Sequence, residues 1–275
     1  MNIQVLVSVI NQTDYLLPSK MNINTDAIIG NQCDRNSIDE FVHNGHTIQY
    51  LNFNERGVGL NRNNSLMRAS ADLLVFADDD EVFVDDYANI IENAYNKLPD
   101  ADAIFFNVDF IGGNRSPRNF SKILRVRLFN ALNTATPRVT IKNASAKKYN
   151  INFHRQFGGG TDYSCGEDSL FIADMLKKGL RIYTYPATIS TIDQTVSTWF
   201  KGYNEKYFYD KGALFAAMFR KFGYILCCLI FFKNRRVFFT GNISYRKAAK
   251  LAKAGAKGFY DGITYEKWAM GDKNV

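Results

Sequence analysis

With 275 residues, 46% of them hydrophobic, the chain is long enough for one large α/β domain or for a core domain with an appendage. Its four cysteines (Cys33, Cys165, Cys227 and Cys228) show no metal-ligand spacing and two are adjacent, a pattern that argues against a disulfide framework or zinc site and for reduced thiols in a cytosolic protein. The net charge of +7 is unevenly spread: residues 201–275 hold 15 Lys and Arg against 5 Asp and Glu, whereas the first 200 hold 19 against 22. A mildly acidic body therefore carries a basic tail, which calls for an anionic partner such as a membrane surface or a nucleic acid.

The chain opens on Met1-Asn2-Ile3-Gln4, which lacks the basic residues and apolar run of a secretory leader. Gln4 to Ile10 reads as a buried strand broken by Asn11-Gln12-Thr13-Asp14. Thr25 to Ile29 reads as a second strand, followed by the polar loop Gly30–Asn36, and Thr47 to Leu51 as a third. Arg56-Gly57-Val58-Gly59 then leads into a helix from about Leu60 to Ala71. The paired glycines are not a dinucleotide fingerprint: they follow the third strand instead of the first and lack the third glycine. Nor does the chain contain a G-x-x-x-x-G-K-[ST] loop. Arg62 lies near the start of this helix, where a cation opposes the helix dipole, so an anionic or polar partner is expected.

Ala71 to Ala77 is an apolar run of strand length that ends directly in Asp78-Asp79-Asp80. Asp is disfavoured in strands, so the strand stops where the carboxylates begin. Three adjacent like charges repel unless a cation or strong donors lie among them. Hard divalent cations take oxygen ligands, Mg²⁺ commonly through one or two carboxylates plus substrate phosphates. The ends of buried strands are also where open α/β sheets place their ligands. A solvated acidic turn capping the helix from Asp85 to Lys97 is the alternative. A strand follows at Ala103 to Val108. Alternating strands and helices imply a mostly parallel sheet covered by helices.

After a turn at Gly112–Pro117, Phe153-His154-Arg155-Gln156-Phe157 runs into Gly158-Gly159-Gly160, a loop that is either mobile or closely approached by a ligand. Cys165-Gly166-Glu167-Asp168 opens a helix to about Lys178, with apolar positions 170, 171, 175 and 176 on one face. Glu167 and Asp168 fall in its first turn, where the dipole favours carboxylates, but an acid at this place also suits a general base. The strand Arg181 to Tyr185 is expected to end at Pro186.

The order of these pieces is more specific than any one of them. "GVGLNRNNSLMRASADLLVFADDDEVF" followed by "GGGTDYSCGEDSLFIADMLKKGLRIYTYP" resembles glycosyltransferase family 2, the inverting enzymes of GT-A fold, over roughly residues 4–200. The resemblance implies a mixed, mostly parallel α/β sheet flanked by helices (1–200) and a C-terminal helical appendage (201–275), in a bacterial member of capsule or exopolysaccharide type. It places Asp78-Asp79-Asp80 on the D-x-D motif, with Asp80 and Asp78 as metal ligands for Mn²⁺ or Mg²⁺ and Asp78 and Asp79 near the donor's ribose and phosphates. It makes Arg62 and Asn11 nucleotide-sugar contacts and Asp168 the catalytic base, with Gly160, Glu167 and Trp199 on the acceptor side.

The family usually carries aspartates after the second strand to recognise the base. This chain has Gly30-Asn31-Gln32-Cys33-Asp34, so Asn31 or Gln32 is expected to substitute there. An amide both donates and accepts, so a UDP-sugar is favoured without being fixed. The Gln-x-x-Arg-Trp motif of processive members is absent, which implies an enzyme adding one sugar to a saccharide or lipid-linked acceptor. Two rivals remain at this stage: a sugar-nucleotide pyrophosphorylase, which would want a glycine-rich basic loop after the first strand, and a catalytically silent scaffold of the same fold. In the tail, apolar runs at 213–219 and 224–232 flank Arg220-Lys221, and each is too short to span a bilayer. They suit a helix lying at the inner membrane face, with a core or dimer helix as the alternative. Nucleic acid is not expected, since no recognised module is present.

Overall fold

A computed structural model describes residues 1–112, 117, 119–127, 136–193, 202–239 and 243–271. Its centre is a ten-stranded sheet of β1 (Ile3–Ile10), β2 (Asp26–Gln32), β3 (Ser37–His43), β4 (His46–Phe53), β5 (Leu73–Asp78), β6 (Glu81–Phe83), β7 (Ala103–Ile111), β8 (Leu124–Arg125), β9 (Val139–Lys142) and β10 (Ile182–Asp193). The order is β3-β4-β2-β1-β5-β9-β7-β10-β6, with β8 added on β10. β4, β2, β1 and β5 run parallel, whereas β9 is antiparallel to both its neighbours.

The pleat divides each central strand between two cores. On β1, Val5, Val7 and Val9 enter one core and Leu6 the other; on β5, Leu73, Val75 and Ala77 enter the first, Leu74 and Phe76 the second. The short helix α1 (Leu17–Lys20) and the long helix α3 (Tyr87–Lys97) cover the first face. The second is covered by α2 (Val58–Arg68), α4 (Asn143–Lys148) and α5 (Glu167–Lys177).

Beyond the sheet lie α6 (Glu205–Phe219), α7 (Gly223–Lys233), the single turn α8 (Arg235–Phe238), α9 (Tyr245–Asp261) and α10 (Tyr265–Met270). α6 joins the body through a core in which Ala213, Leu214 and Met218 pack with Phe157, Tyr163 and Ala173. It joins α9 by close backbone approach. A Cβ on Gly212 would stand 2.0 Å from the Ala252 carbonyl oxygen, and one on Gly255 would stand 1.9 Å from that of Tyr209.

Several segments differ from the sequence reading, beginning with Gly30–Gln32, which continues β2 instead of opening a loop. Ser37–His43 is a strand, joined to β4 by a tight turn at Asn44-Gly45, both with positive φ. Asn-Gly is the favoured pair for such a hairpin. Val139–Lys142 is a buried antiparallel strand between β5 and β7. β10 does not stop at Pro186 but continues to Asp193, with register shifts between Thr184 and Ser190. A proline has no N–H for the ladder, so the strand absorbs it as an irregularity.

Replacing Gly255 by Ala would ordinarily favour a helix by about 1 kcal/mol. Here the added carbon meets a carbonyl oxygen of a neighbouring helix at 1.9 Å, so the helices must separate. We expect Gly255→Ala to destabilise the protein by about 1–3 kcal/mol in denaturant titration; an unchanged midpoint would mean that this contact is loose.

Candidate active site

The carboxyl ends of β1, β2 and β5 meet α2 and the first turn of α5 around a cleft of about 450 Å³. Its walls include Ser8, Gln32, Arg62, Asp78, Asp79, Asp80, Gly159, Glu167 and Asp168. Ser8 pairs with Gly30 on one side and Asp78 on the other, so the pleat turns Ser8, Asp78 and Gln32 to the same face of the sheet, under α2. That face is tightly built: the Ser8 hydroxyl donates to Asn61 Oδ1 at 2.9 Å, and a Cβ on Gly30 would collide with the same amide.

Arg62 is at the centre. It is 4% exposed, and its guanidinium donates to Asp78 Oδ1 at 2.7 Å and to Asp168 Oδ1 at 2.9 Å, with Glu167 Oε1 3.6 Å away. Phe153 lies against it, ring centroid 5.3 Å from Cζ. Burial disfavours its charge, but Asp78, Asp168 and Glu167 outweigh that cost and hold it more firmly protonated than usual. One side chain thus joins the end of β5 to the start of α5.

Asp168 Oδ1 also accepts from the Thr136 hydroxyl. Its Oδ2 has no partner among the described residues, and the side chain lines the cleft. One carboxylate oxygen is therefore anchored and the other is open to a substrate. Thr136 is 1% exposed and was not legible as a site residue, since an isolated Thr in a polar stretch carries no signal. Beside it, burial and the neighbouring Asp168 charge push Glu167 up to about 7, although Arg62 opposes the shift.

Of the aspartate run, only Asp78 meets a basic residue among the described residues. Burial, then Asp78 and Asp79, push Asp80 up to about 6, and burial followed by Asp78 raises Asp79. Behind them Glu81 is wholly buried, bonded to the Ser190 hydroxyl and held well above the usual carboxylate range by burial. No group of three acidic, His or Cys side chains among the described residues forms a ready metal cage.

The other residues singled out in the sequence fall as follows. Asn11 follows β1 with φ 54° and donates its N–H to the Gln32 carbonyl; it is not on the cleft wall. Asn31 turns to the opposite face from Gln32: its Oδ1 accepts from the Gln12 N–H at 3.0 Å, and its Nδ2 donates to the Gln12 carbonyl and to Asn52 Oδ1. It shapes the loop after β1, and Gln32 is the amide that reaches the cleft. Gln32 Oε1 accepts from Gly57 N–H at 2.8 Å, and its Nε2 has no partner among the described residues. Gly160 packs on the Gly57 backbone, and Gly159 is the glycine on the cleft wall. The loop is tied down by hydrogen bonds from the Thr161 hydroxyl to the carbonyls of Gly158 and Gln156. Trp199 lies outside the described residues.

Residues 4–165 match the family model for glycosyl transferase family 2. The chain belongs to that family. No curated protein matches it significantly. Among solved structures, its fold is similar to residues 1–349 of S. aureus TarS in complex with UDP-GlcNAc, with TM-score 0.64 and 14% identity over 96% of this chain and 93% of that one. The TarS complex with UDP gives the same TM-score and coverage at 16% identity. Against full-length TarS the match covers 98% of this chain but 46% of the other, with TM-score 0.57. The GT-A architecture is therefore shared, with the glycosyltransferase body ending in a helical region.

A carboxyl group raised by its fold stabilises the fold while protonated and loses that contribution as it ionises. For Glu167 the contribution is full below about 4.5 and is lost as pH rises through about 7. Glu167→Gln should therefore raise stability above pH 7 by up to about 3 kcal/mol and flatten its fall between those pH values. Thermal melts across the range check this, and a variant less stable at pH 8 would contradict it.

Proposed function

We propose that this protein is an inverting, divalent-metal-dependent, non-processive glycosyltransferase that moves a sugar from a UDP-sugar to a saccharide or lipid-linked acceptor in surface polysaccharide synthesis. The observation that carries the proposal is the junction at Arg62, which brings Asp78 of the aspartate run and Asp168 to one guanidinium on the wall of one cleft. The family supplies the transferase class, and the likeness to a fold that binds UDP-GlcNAc supports the donor class.

Asp80 and Asp78 suit a hard cation: they offer only oxygen, and Asp80 is raised by burial and by its neighbours' charge. With no cage of three such side chains among the described residues, a Mg²⁺ or Mn²⁺ ion held by Asp80 and Asp78 would also take oxygen ligands from donor phosphates and water. When bound, it neutralises charge developing on the departing diphosphate.

The chain's own residues account for the rest. An acceptor hydroxyl attacks the anomeric carbon while the bond from that carbon to the diphosphate oxygen breaks, and the hydroxyl proton passes to Asp168 Oδ2. Arg62 and Thr136 hold Oδ1, which fixes the carboxylate's rotation and aims Oδ2 at the acceptor. A single displacement from the face opposite the leaving group inverts the anomeric centre, so no second nucleophilic carboxylate is needed.

Calorimetric titration of UDP and GDP, each with and without Mn²⁺, tests this reading. We expect one nucleotide, UDP, to bind only with metal, and Asp80→Ala to abolish that binding. Asp168→Asn should keep nucleotide affinity and lose transfer by a factor of 10² or more. Binding of neither nucleotide would sink the proposal. Full transfer by Asp168→Asn would remove the base from it.

Base selection follows from Gln32. With Oε1 held by Gly57 N–H, the amide presents a donor, which suits a carbonyl edge such as that of uracil. Gln32→Glu replaces this donor with an acceptor and should weaken UDP about ten- to a hundredfold by calorimetry. Unchanged affinity would show that the base is read elsewhere.

A further inference from the structure

α7 is apolar around its whole circumference yet only one side of it is covered. Gly223, Cys227 and Phe231 pack inward, while Phe222, Ile225, Leu229 and Phe232 stand 60%, 57%, 58% and 58% exposed in a row along the opposite side. An apolar ridge of this kind on a folded surface marks a site of contact. By length and composition, Glu205–Lys233 could cross a bilayer. The chain instead reverses between α6 and α7: Arg220 takes φ 52°, Gly223 packs against the Phe215 carbonyl, and Phe231 returns to stack edge-on against Phe208 at 5.1 Å. α7 alone is about 16 Å long, half of a hydrocarbon core of about 30 Å.

The charge around the ridge identifies what covers it. Residues 211–260 contain eleven Lys and Arg and no Asp or Glu. Arg220 and Lys221 are exposed at one end of α7, and Lys233, Arg235 and Arg236 at the other. At each end a cation lies against an exposed ring, Lys221 over Phe222 at 5.4 Å and Arg235 over Phe232 at 5.0 Å. A second copy of the chain, seated ridge to ridge, would bring these basic ends together with no acid in the segment to offset them. An anionic lipid surface satisfies both features, since acyl chains take the ridge and phosphates take the cations.

We propose that α7 docks this protein on an anionic bilayer, lying in the interface with Phe222, Ile225, Leu229 and Phe232 inserted and the flanking Lys and Arg at headgroup level. The docked helix is linked to the cleft through packed contacts and hydrogen bonds. α6, on which α7 folds back, places Leu214 against Gly166, and its Asp210 accepts the Ser164 N–H at 3.0 Å and hydroxyl at 2.7 Å, immediately before Asp168. Docking would therefore hold the Asp168 side of the cleft at a fixed distance from the lipid surface.

The test is co-sedimentation of the full chain with vesicles of phosphatidylglycerol and phosphatidylcholine in equal parts, against phosphatidylcholine alone. We expect binding to the mixed vesicles, weakening with added salt. Ile225→Gln/Leu229→Gln should abolish binding while leaving thermal melting and nucleotide binding unchanged, since both side chains are exposed. Lys233→Gln/Arg235→Gln/Arg236→Gln should weaken partitioning about a hundredfold. Failure of the wild type to bind mixed vesicles, or equal binding by the ridge variant, would overturn the proposal. So would a dimer in light scattering that the ridge variant makes monomeric, with no vesicle binding; that result would assign the ridge to self-association.

Discussion

A buried guanidinium surrounded by carboxylates is the constraint on which the rest of this structure depends. Removing Arg62 from water costs several kcal/mol, which mutual attraction repays only with good geometry. Two direct hydrogen bonds, to Asp78 and Asp168, supply that geometry, while Nε has no partner among the described residues. The bonds join groups 90 residues apart in sequence, one on a strand end and one on a helix start. The cluster is also unbalanced: among the described residues Arg62 is the one basic side chain paired with Asp78, Glu167 and Asp168, and Asp79 and Asp80 pair with none. Stability alone would not select such a site, because Asp79 and Asp80 meet no basic residue among the described residues and replacing them would relieve repulsion. A cleft meant to receive a cation and a diphosphate has reason to keep it.

The fold keeps the cluster by parity. On β1, β2 and β5 the cleft residues Ser8, Gln32 and Asp78 share one face, while Val5, Val7, Ala27, Ile29, Val75 and Ala77 fill the core beneath α3. A slip of one residue in β5 would carry the Asp78 carboxylate into that core, where an unpaired charge is prohibitive, and a slip in β1 or β2 would turn Ser8 or Gln32 the same way. Asn61 fixes α2 over Gly30 at contact distance, so Arg62, one residue on, has little freedom to move. Precision at the guanidinium is thus inherited from the sheet.

The same parity explains what was legible in the sequence. The strand ending in three aspartates, the Arg-bearing helix and the Glu-Asp helix start were all readable, since each combines hydrophobic periodicity with an abrupt charge. Asn31 and Gln32 were not separable, because a loop reading of Gly30–Asn36 discards the pleat. Once β2 continues to Gln32, alternation alone sends one amide to the cleft and the other into the Gln12 loop. β3 escaped notice although Asn44-Gly45 announces a hairpin, because Ser37–His43 alternates polar and apolar residues only weakly and stays half exposed. β9 is four residues long and reads as a strand only between β5 and β7, which supply the pairing that its length cannot.

The C-terminal helices follow from a different rule. α6 and α9 approach until backbone touches backbone at Gly212 and Gly255, where a side chain would collide with the facing helix, and Gly258 leaves its space to the Tyr209 hydroxyl. Their apolar bulk is displaced outward: Phe208 and Phe215 turn to meet Cys227 and Phe231 of α7, which becomes the outer layer. A helix in that position has a core on one side only, so its other side must face solvent, a partner or lipid. The sequence keeps that side apolar, and across fifty residues around it keeps every charge positive. Packing explains why α7 is outermost. It does not explain why its outer side is both greasy and basic, and an anionic bilayer accounts for that combination in a single contact.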